Sequence, residues 1–113
     1  MGTDEGWIEI IRGELVPDGK ATRAAYDDDS DLMLYRSGEK LFAIGLRCTH
    51  QGAPLDRGVV SVQTSMQTVT CAAHGSMFDL ESGKVMRGPA GEPVPAFETR
   101  VTDGMIEVRP REA

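Results

Sequence analysis

An all-β fold of short antiparallel strands is what this 113-residue sequence predicts. No stretch has the apolar spacing of a long amphipathic helix, short runs rich in β-forming residues recur, and Gly, Pro and Asp separate those runs. The length suits one domain and leaves no room for a second of ordinary size. We therefore expect a single all-β domain over residues 1–113.

Nine segments are expected to form strands. Short glycine-containing loops join three pairs of them: Ser37-Gly38-Glu39, Glu81-Ser82-Gly83 and Asp103-Gly104, the last being the strongest two-residue hairpin signal in the chain. Pro110 is expected to end pairing, because it has no N–H to donate. The expected strands are Trp7–Ile11, Ala21–Tyr26, Leu32–Arg36, Lys40–Leu46, Gln67–Thr70, Met77–Leu80, Lys84–Met86, Phe97–Thr102 and Met105–Val108.

Charge and hydropathy exclude two classes of partner. The formal net charge is −6, which argues against nucleic acid and against an anionic membrane surface, and suits a partner with a basic face. The acidic run from Asp27 to Asp31 is expected to be a solvated connection. The longest apolar stretch, Leu41 to Leu46, is far too short to span a bilayer. With no signal segment recognised, a cytoplasmic location is expected.

The two cysteines and two histidines fall in two tight pairs, Cys48-Thr49-His50 and Cys71-Ala72-Ala73-His74. Each pair follows a predicted strand, where a loop can turn its side chains toward one point. Two thiolates and two imidazoles suit zinc or an iron–sulfur cluster. Zinc sites usually pair Cys with Cys and His with His. The mixed pairs favour a two-iron centre with one iron on the cysteines and the other on the histidines.

The residues around both pairs resemble the cluster loops of the Rieske [2Fe–2S] family, over about residues 30–108. The first loop reads Cys48-Thr49-His50-Gln51-Gly52-Ala53-Pro54-Leu55, and the second reads Cys71-Ala72-Ala73-His74-Gly75-Ser76-Met77-Phe78-Asp79. Gly88-Pro89-Ala90 resembles the proline loop that covers the cluster in that family. The resemblance implies stacked antiparallel sheets with a small cluster-binding subdomain at the tip. It places the cluster-binding loops at about 46–58, 71–80 and 87–95.

By this resemblance the chain holds one [2Fe–2S] cluster, with Cys48 and Cys71 on one iron and His50 and His74 on the other. Two ferric ions, two sulfides and two thiolates sum to zero charge, so reduction adds only one negative charge. Reduction is therefore easier than in an all-cysteine cluster, consistent with Rieske potentials of roughly −150 to +300 mV.

Two residues of the second loop refine the expected reduction potential. Ser76 matches a serine that, in respiratory members of the family, donates a hydrogen bond to a cluster sulfur. Phe78 stands where those members have a tyrosine with a second such donor. We therefore expect a potential in the lower half of the Rieske range. Relatives often carry Pro where Thr49 stands, and Pro with another residue where Ala72-Ala73 stand, but the ligand spacing is unchanged.

Other residues beside the loops have simpler expectations. Three arginines lie beside the cluster loops and could raise the potential or guide a partner, but they are expected to be surface residues without such a role: Arg47, Arg57 and Arg87. Three glycines are expected to be backbone requirements of tight loops: Gly52, Gly75 and Gly88.

The implied function is electron transfer without catalysis. Both histidines are taken, so none remains for the mononuclear iron of ring-hydroxylating oxygenases or for a Ser-His-Asp or Cys-His set. The resemblance implies a stand-alone Rieske ferredoxin that carries electrons from a flavin-dependent NAD(P)H reductase to a terminal oxygenase, through transient contacts. Two alternatives stay open: a fixed small subunit of an oxidoreductase such as nitrite reductase, and a non-redox binding module with structural zinc.

Overall fold

The computed structural model describes residues 6–111, which form ten β-strands and two short 3-10 turns, Gly13–Leu15 and Leu55–Arg57. No helix within these residues is long and apolar enough to cross a membrane. The all-β prediction is confirmed. The strands are β1 Ile8–Arg12, β2 Thr22–Ala25, β3 Asp31–Ser37, β4 Lys40–Gly45, β5 Val59–Val62, β6 Gln67–Thr70, β7 Met77–Asp79, β8 Val85–Arg87, β9 Ala96–Thr102 and β10 Met105–Pro110.

The strands form two antiparallel sheets. A six-stranded base sheet has the order β1-β10-β9-β4-β3-β2, and a four-stranded tip sheet has the order β5-β6-β7-β8. Strands β4 and β9 pair directly, so the chain leaves the base sheet after β4 and returns to it beside its point of departure. Residues 46–95, which we call the tip subdomain, are therefore inserted between two neighbouring base strands.

Alternation along the central base strands creates two cores. On β3, Leu32 and Leu34 lie in one buried cluster and Met33 lies in the other. On β4, Ala43 lies in the first and Ile44 in the second. Successive side chains point to opposite faces of a strand, so both faces of the central base sheet are covered. The second cluster continues into the tip subdomain, and thereby packs the tip against the base.

An ion pair also joins the two parts. Arg23 on β2 donates two hydrogen bonds to the Asp56 carboxylate in the 3-10 turn of the tip subdomain, at 3.2 and 3.0 Å. Hydrogen bonding to Asp56 is the main cause that raises the pKa of Arg23. The bidentate geometry fixes direction as well as distance, and so orients the tip relative to β2.

The hairpin prediction at Asp103-Gly104 is confirmed. Thr102 pairs with Met105, and the two residues between them have φ angles of 53° and 80°. Positive φ at both central residues is the requirement of a type I′ turn, whose twist matches that of the paired strands. The other loop expected at Ser37-Gly38-Glu39 is one residue shorter, because Ser37 pairs with Lys40.

Two expectations about strands were wrong. Strand β5, Val59–Val62, was not predicted; it is a largely exposed edge strand that pairs with β6. Pro110 does not end pairing, since it lies opposite Phe97 in the register of β10 with β9. The register of β10 with β1 stops at Val108, so Pro110 occupies a strand end with one partner, where a missing N–H is tolerated.

Candidate metal centre

The first predicted cluster loop holds Cys48 in a closed turn. The Cys48 N–H donates to the Ala53 carbonyl at 2.8 Å, and the Cys48 carbonyl accepts from the Gly52 N–H at 2.7 Å. Gly52 has φ of +82°, a conformation that residues with a Cβ rarely adopt. Cys48 itself is 3% exposed. The turn thus directs the thiol inward and leaves the following residues at the surface.

The second loop repeats this arrangement. The Cys71 N–H donates to the Ser76 carbonyl at 2.7 Å, and the Cys71 carbonyl accepts from the Gly75 N–H at 3.0 Å. Gly75 also has φ of +82°, and Cys71 is also 3% exposed. The expected backbone role of these two loop glycines is confirmed. Gly88 differs, since its φ is not in the left-handed region and it precedes a cis peptide bond to Pro89.

The histidines lie on the outer side of these turns. The ring centroids of His50 and His74 are 5.0 Å apart, with an angle of 87° between the ring planes. His50 is half-buried and His74 is exposed. Residues 50 and 74, which are 24 positions apart in sequence, therefore present their imidazoles side by side at one end of the molecule.

The cysteines belong to the buried cluster that joins tip and base. Cys48 and Cys71 are both free thiols and lie in that cluster with Phe78, Leu46 and Leu55 among others. The donor set is therefore sorted by depth, with thiols inside and imidazoles outside. The structure brings the two predicted pairs to the same end of the protein.

Ser76 is fully buried below the second loop. Its Oγ accepts a hydrogen bond from the Ala90 N–H at 2.9 Å. A hydroxyl that accepts in this way still has its own O–H to donate. The bond also connects the second loop to the proline loop, residues 88–95, whose Ala90 and Val94 side chains are buried.

Thr49 connects the first loop to the same proline loop. Its Oγ1 donates to the Glu92 carbonyl at 2.6 Å, across 43 positions of sequence. This loop contains three prolines, which cannot donate backbone hydrogen bonds. Side-chain hydroxyls from the two cluster loops therefore supply contacts that the loop backbone cannot make by itself. Sequence analysis recorded Thr49 only as a departure from relatives and missed this contact.

Two of the three arginines also contact the cluster loops. Arg47 donates to the Gly52 carbonyl at 3.3 Å, and Arg87 donates to the Gly75 carbonyl at 3.4 Å. Both arginines are exposed, as expected, and each also binds the backbone of a cluster loop. The contacts join residues that are 5 and 12 positions apart, and no local sequence pattern predicts them.

Comparison with known proteins places the chain in a family. Residues 6–98 match the model of the Rieske [2Fe-2S] domain. The chain belongs to this family, and the predicted resemblance is confirmed.

Individual relatives and solved structures show which Rieske proteins this chain is similar to. The 3-phenylpropionate/cinnamic acid dioxygenase ferredoxin subunit of Photorhabdus laumondii is 35% identical over 95 residues, 84% of this chain and 86% of the relative. The ferredoxin of carbazole 1,9a-dioxygenase from Nocardioides aromaticivorans superposes with a TM-score of 0.77 at 27% identity, over 95% of this chain and all of the other. A candidate small subunit of NADH-dependent nitrite reductase from Mycobacterium tuberculosis gives 0.77 at 26% identity, over 95% and 96%.

The residues present fit the one [2Fe–2S] cluster per chain that the family implies. Within residues 6–111 no three or more Cys, His, Asp or Glu side chains gather around a point that could hold a single ion. A Rieske cluster instead requires two thiolates on one iron and two imidazoles on the other. The buried cysteine pair and the outer histidine pair match that division.

Proposed function

We propose that this protein is the Rieske ferredoxin of a dioxygenase system, a one-electron carrier and not itself an enzyme. It takes electrons from a flavin-dependent NAD(P)H reductase and delivers them to a terminal oxygenase. The observation that carries the proposal is the edge-to-face histidine pair at the surface above two buried thiols. The dioxygenase ferredoxins among its relatives support it.

Each ligand has a role that follows from its depth. Cys48 and Cys71 would hold one iron, where burial keeps water from the thiolates. His50 and His74 would hold the other iron, nearer to solvent. When bound, the cluster accepts and releases one electron at a time. Ser76 has a free O–H that would donate to a cluster sulfur and so favour the reduced state.

The surface around the histidines allows a partner to approach closely. Ala72 and Ala73 are both exposed and small, as is Gly52, while Gln51 is exposed beside His50. We propose that docking is transient and uses the turn at 51–55, the turn at 75–77 and the proline loop. A small contact of this kind matches the size class of redox encounters.

The wider organisation is part of the proposal. We infer one domain over residues 1–113, with cluster-binding loops at 46–58, 71–80 and 87–95. We also infer a cytoplasmic protein. The two cysteines form no disulfide, and cysteines kept reduced are typical of a reducing compartment.

A second candidate function is a fixed subunit of a nitrite reductase. The similarity to a candidate nitrite reductase small subunit favours it, since its TM-score equals that of the carbazole dioxygenase ferredoxin. Gentle purification from the native host separates the two. A carrier elutes alone on size exclusion, whereas a fixed subunit elutes with its larger partner.

The cluster is tested by low-temperature electron paramagnetic resonance of the dithionite-reduced protein, with iron and sulfide analysis of the same sample. We expect two irons, two sulfides and a rhombic signal with an average g below that of all-cysteine clusters. Cys71→Ser and His74→Ala should abolish this signal, while Gln51→Ala, which alters an exposed neighbour, should keep it. A colourless protein with one zinc would overturn the proposal.

A further inference from the structure

The arginines of the described residues differ in what they contact, since some bind carboxylates while others, including Arg36 on β3, bind backbone carbonyls. Four arginines make ion pairs with carboxylates of described residues: Arg12 with Glu14, Arg23 with Asp56, Arg100 with Glu107, and Arg109 with Glu98. Arg47 and Arg87 contact backbone carbonyls instead. Their charge is therefore not neutralised by a bonded carboxylate among residues 6–111.

These two arginines occupy matching places. Each donates to the carbonyl of the positive-φ glycine that lies four residues after a loop cysteine, Gly52 in one loop and Gly75 in the other. Gly52 lies two residues after His50, and Gly75 is adjacent to His74. Each guanidinium is therefore bonded to the backbone close to one of the two paired imidazoles. Both arginines are exposed, so both charges face solvent.

Two of the nearby carboxylates are engaged elsewhere. Asp56 binds Arg23, and Asp79 accepts from the N–H and Oγ of Ser82 at the far end of the β7–β8 hairpin. Glu92 on the proline loop is exposed. Asp28, Asp29 and Asp31 line a cavity of about 330 Å³ together with Arg47, and none of the ion pairs among the described residues joins them to it.

The distribution of charge along the chain also distinguishes the tip subdomain from the base. Residues 46–95 contain four basic and four acidic side chains, so the entire net charge of −6 belongs to the rest of the molecule. The net charge alone suggested a partner with a basic face. The two histidines, however, lie on the neutral part of the protein, and an arginine binds the backbone close to each of them.

We infer that Arg47 and Arg87 are docking residues that recognise a carboxylate-lined face around the redox centre of the partner protein. This rests on the proposed function, since it assigns the partner of the same electron-transfer edge. Opposite charges at the rim of the contact orient the encounter and raise its rate more than its affinity. The carboxylates of the partner repel the acidic base sheet. Their field therefore turns the tip subdomain toward the partner.

Stopped-flow oxidation of the reduced protein tests the sign of the electrostatic field near His50 and His74. Two small oxidants are compared over a range of ionic strength: anionic ferricyanide and cationic cobalt tris(phenanthroline). At low salt, Arg47→Gln and Arg87→Gln should each slow the reaction with ferricyanide about two- to tenfold and speed the reaction with the cationic complex. The differences should disappear at high salt, where exposed charges are screened.

Matched variants separate local charge from other effects. Lys40→Gln removes the same charge at the start of β4, the full length of that strand from the tip, and should leave both rates close to wild type. Arg47→Lys and Arg87→Lys keep the charge and should restore both rates. Potentials are measured for every variant, so that a change in driving force is subtracted.

Three results would overturn the inference. Variants at Arg47 and Arg87 could match Lys40→Gln, could shift both oxidants in the same direction, or could fail to recover with lysine, which would assign them to loop structure alone. A wild-type protein without the expected resonance signal would instead remove the proposed function on which the inference depends.

Discussion

Ser76 is a buried hydroxyl that accepts one hydrogen bond and keeps a hydrogen to donate. Because its Oγ accepts from Ala90, its hydrogen is free for a cluster sulfur. Ser76→Ala should therefore lower the reduction potential by roughly 60–130 mV, the equivalent of one hydrogen bond to a charged acceptor. Potentiometry followed by resonance measures this. Ser82→Ala is the control, since that hydroxyl binds Asp79. An unchanged potential in Ser76→Ala would place its hydrogen elsewhere.

Phe78 sets the expected range of the wild-type potential. The residue is fully buried in the same cluster as Cys48 and Cys71, and it carries no hydroxyl to donate. With one donor from Ser76 and none from this position, the lower half of the Rieske range stays our prediction. A measured potential above about +200 mV would contradict it.

Replacing Thr49 is expected to change the lifetime of the cluster rather than its reduction potential. Its hydroxyl binds a carbonyl of the proline loop, so Thr49→Val removes a contact that keeps this loop over the first cluster loop. We expect iron loss to EDTA to be about two- to tenfold faster, the effect of one neutral hydrogen bond. Bleaching of visible absorbance measures the rate.

Two variants define that experiment. Thr49→Ser keeps a hydroxyl and should restore the wild-type rate. Thr99→Val deletes a similar hydroxyl-to-carbonyl bond, to Leu41 in the base sheet, and should leave iron loss unchanged. Equal acceleration by Thr49→Val and Thr99→Val would mean that general destabilisation, not the proline loop, governs loss.

At the scale of elements, the acidic loop between β2 and β3 is an ordered turn. The Asp27 carboxylate accepts from the Ser30 hydroxyl at 2.7 Å and from the Asp29 N–H at 2.9 Å. The bond from Ser30, followed by that from Asp29, lowers the pKa of Asp27. The run that sequence analysis predicted to be a solvated connection is exposed, but its first carboxylate closes the turn.

This turn should respond to acid. A lowered folded pKa means that Asp27 stabilises the loop above its ordinary pKa, near 3.9, and that this contribution is lost as the pH falls through the folded value. The amide resonances of Asp29 and Ser30 should move below about pH 4. In Asp27→Asn, which accepts the same bonds without titrating, they should stay constant. Equal acid shifts in both proteins would assign the titration to another group.

Elements were predictable where a local signal existed. The residues Asp103-Gly104 indicate a turn with positive φ, and the glycine-containing loop between two runs of β-forming residues indicated β3 and β4. Strand β5 was missed because it exposes most of its side chains, and so lacks a buried face to reveal its period. Pro110 continues β10 because only its position in the sheet decides whether a missing N–H matters.

For the whole molecule, the two cores predict an uneven response to loss of the cluster. One core contains both cysteines and joins tip to base, whereas the other lies entirely outside residues 46–95. Removing the iron should therefore expose amides of the tip loops while β3, β9 and β10 remain protected. Hydrogen exchange of the holo and metal-free proteins, read by mass spectrometry, checks this. Equal loss of protection in both parts would show that the cores unfold as one.

The sequence by itself determined the all-β class, the main hairpins and the two Cys–His pairs, because turn residues and ligand spacings act over a few positions of chain. Only the tertiary structure decided that thiols lie inside and imidazoles outside, and that Thr49 meets Glu92. It also decided that Arg47 and Arg87 bind the carbonyls of Gly52 and Gly75, close in sequence to the two histidines. Each of these depends on how the tip subdomain folds between β4 and β9. Contacts between segments distant in sequence arise from packing of the whole chain and leave no trace in local residue patterns.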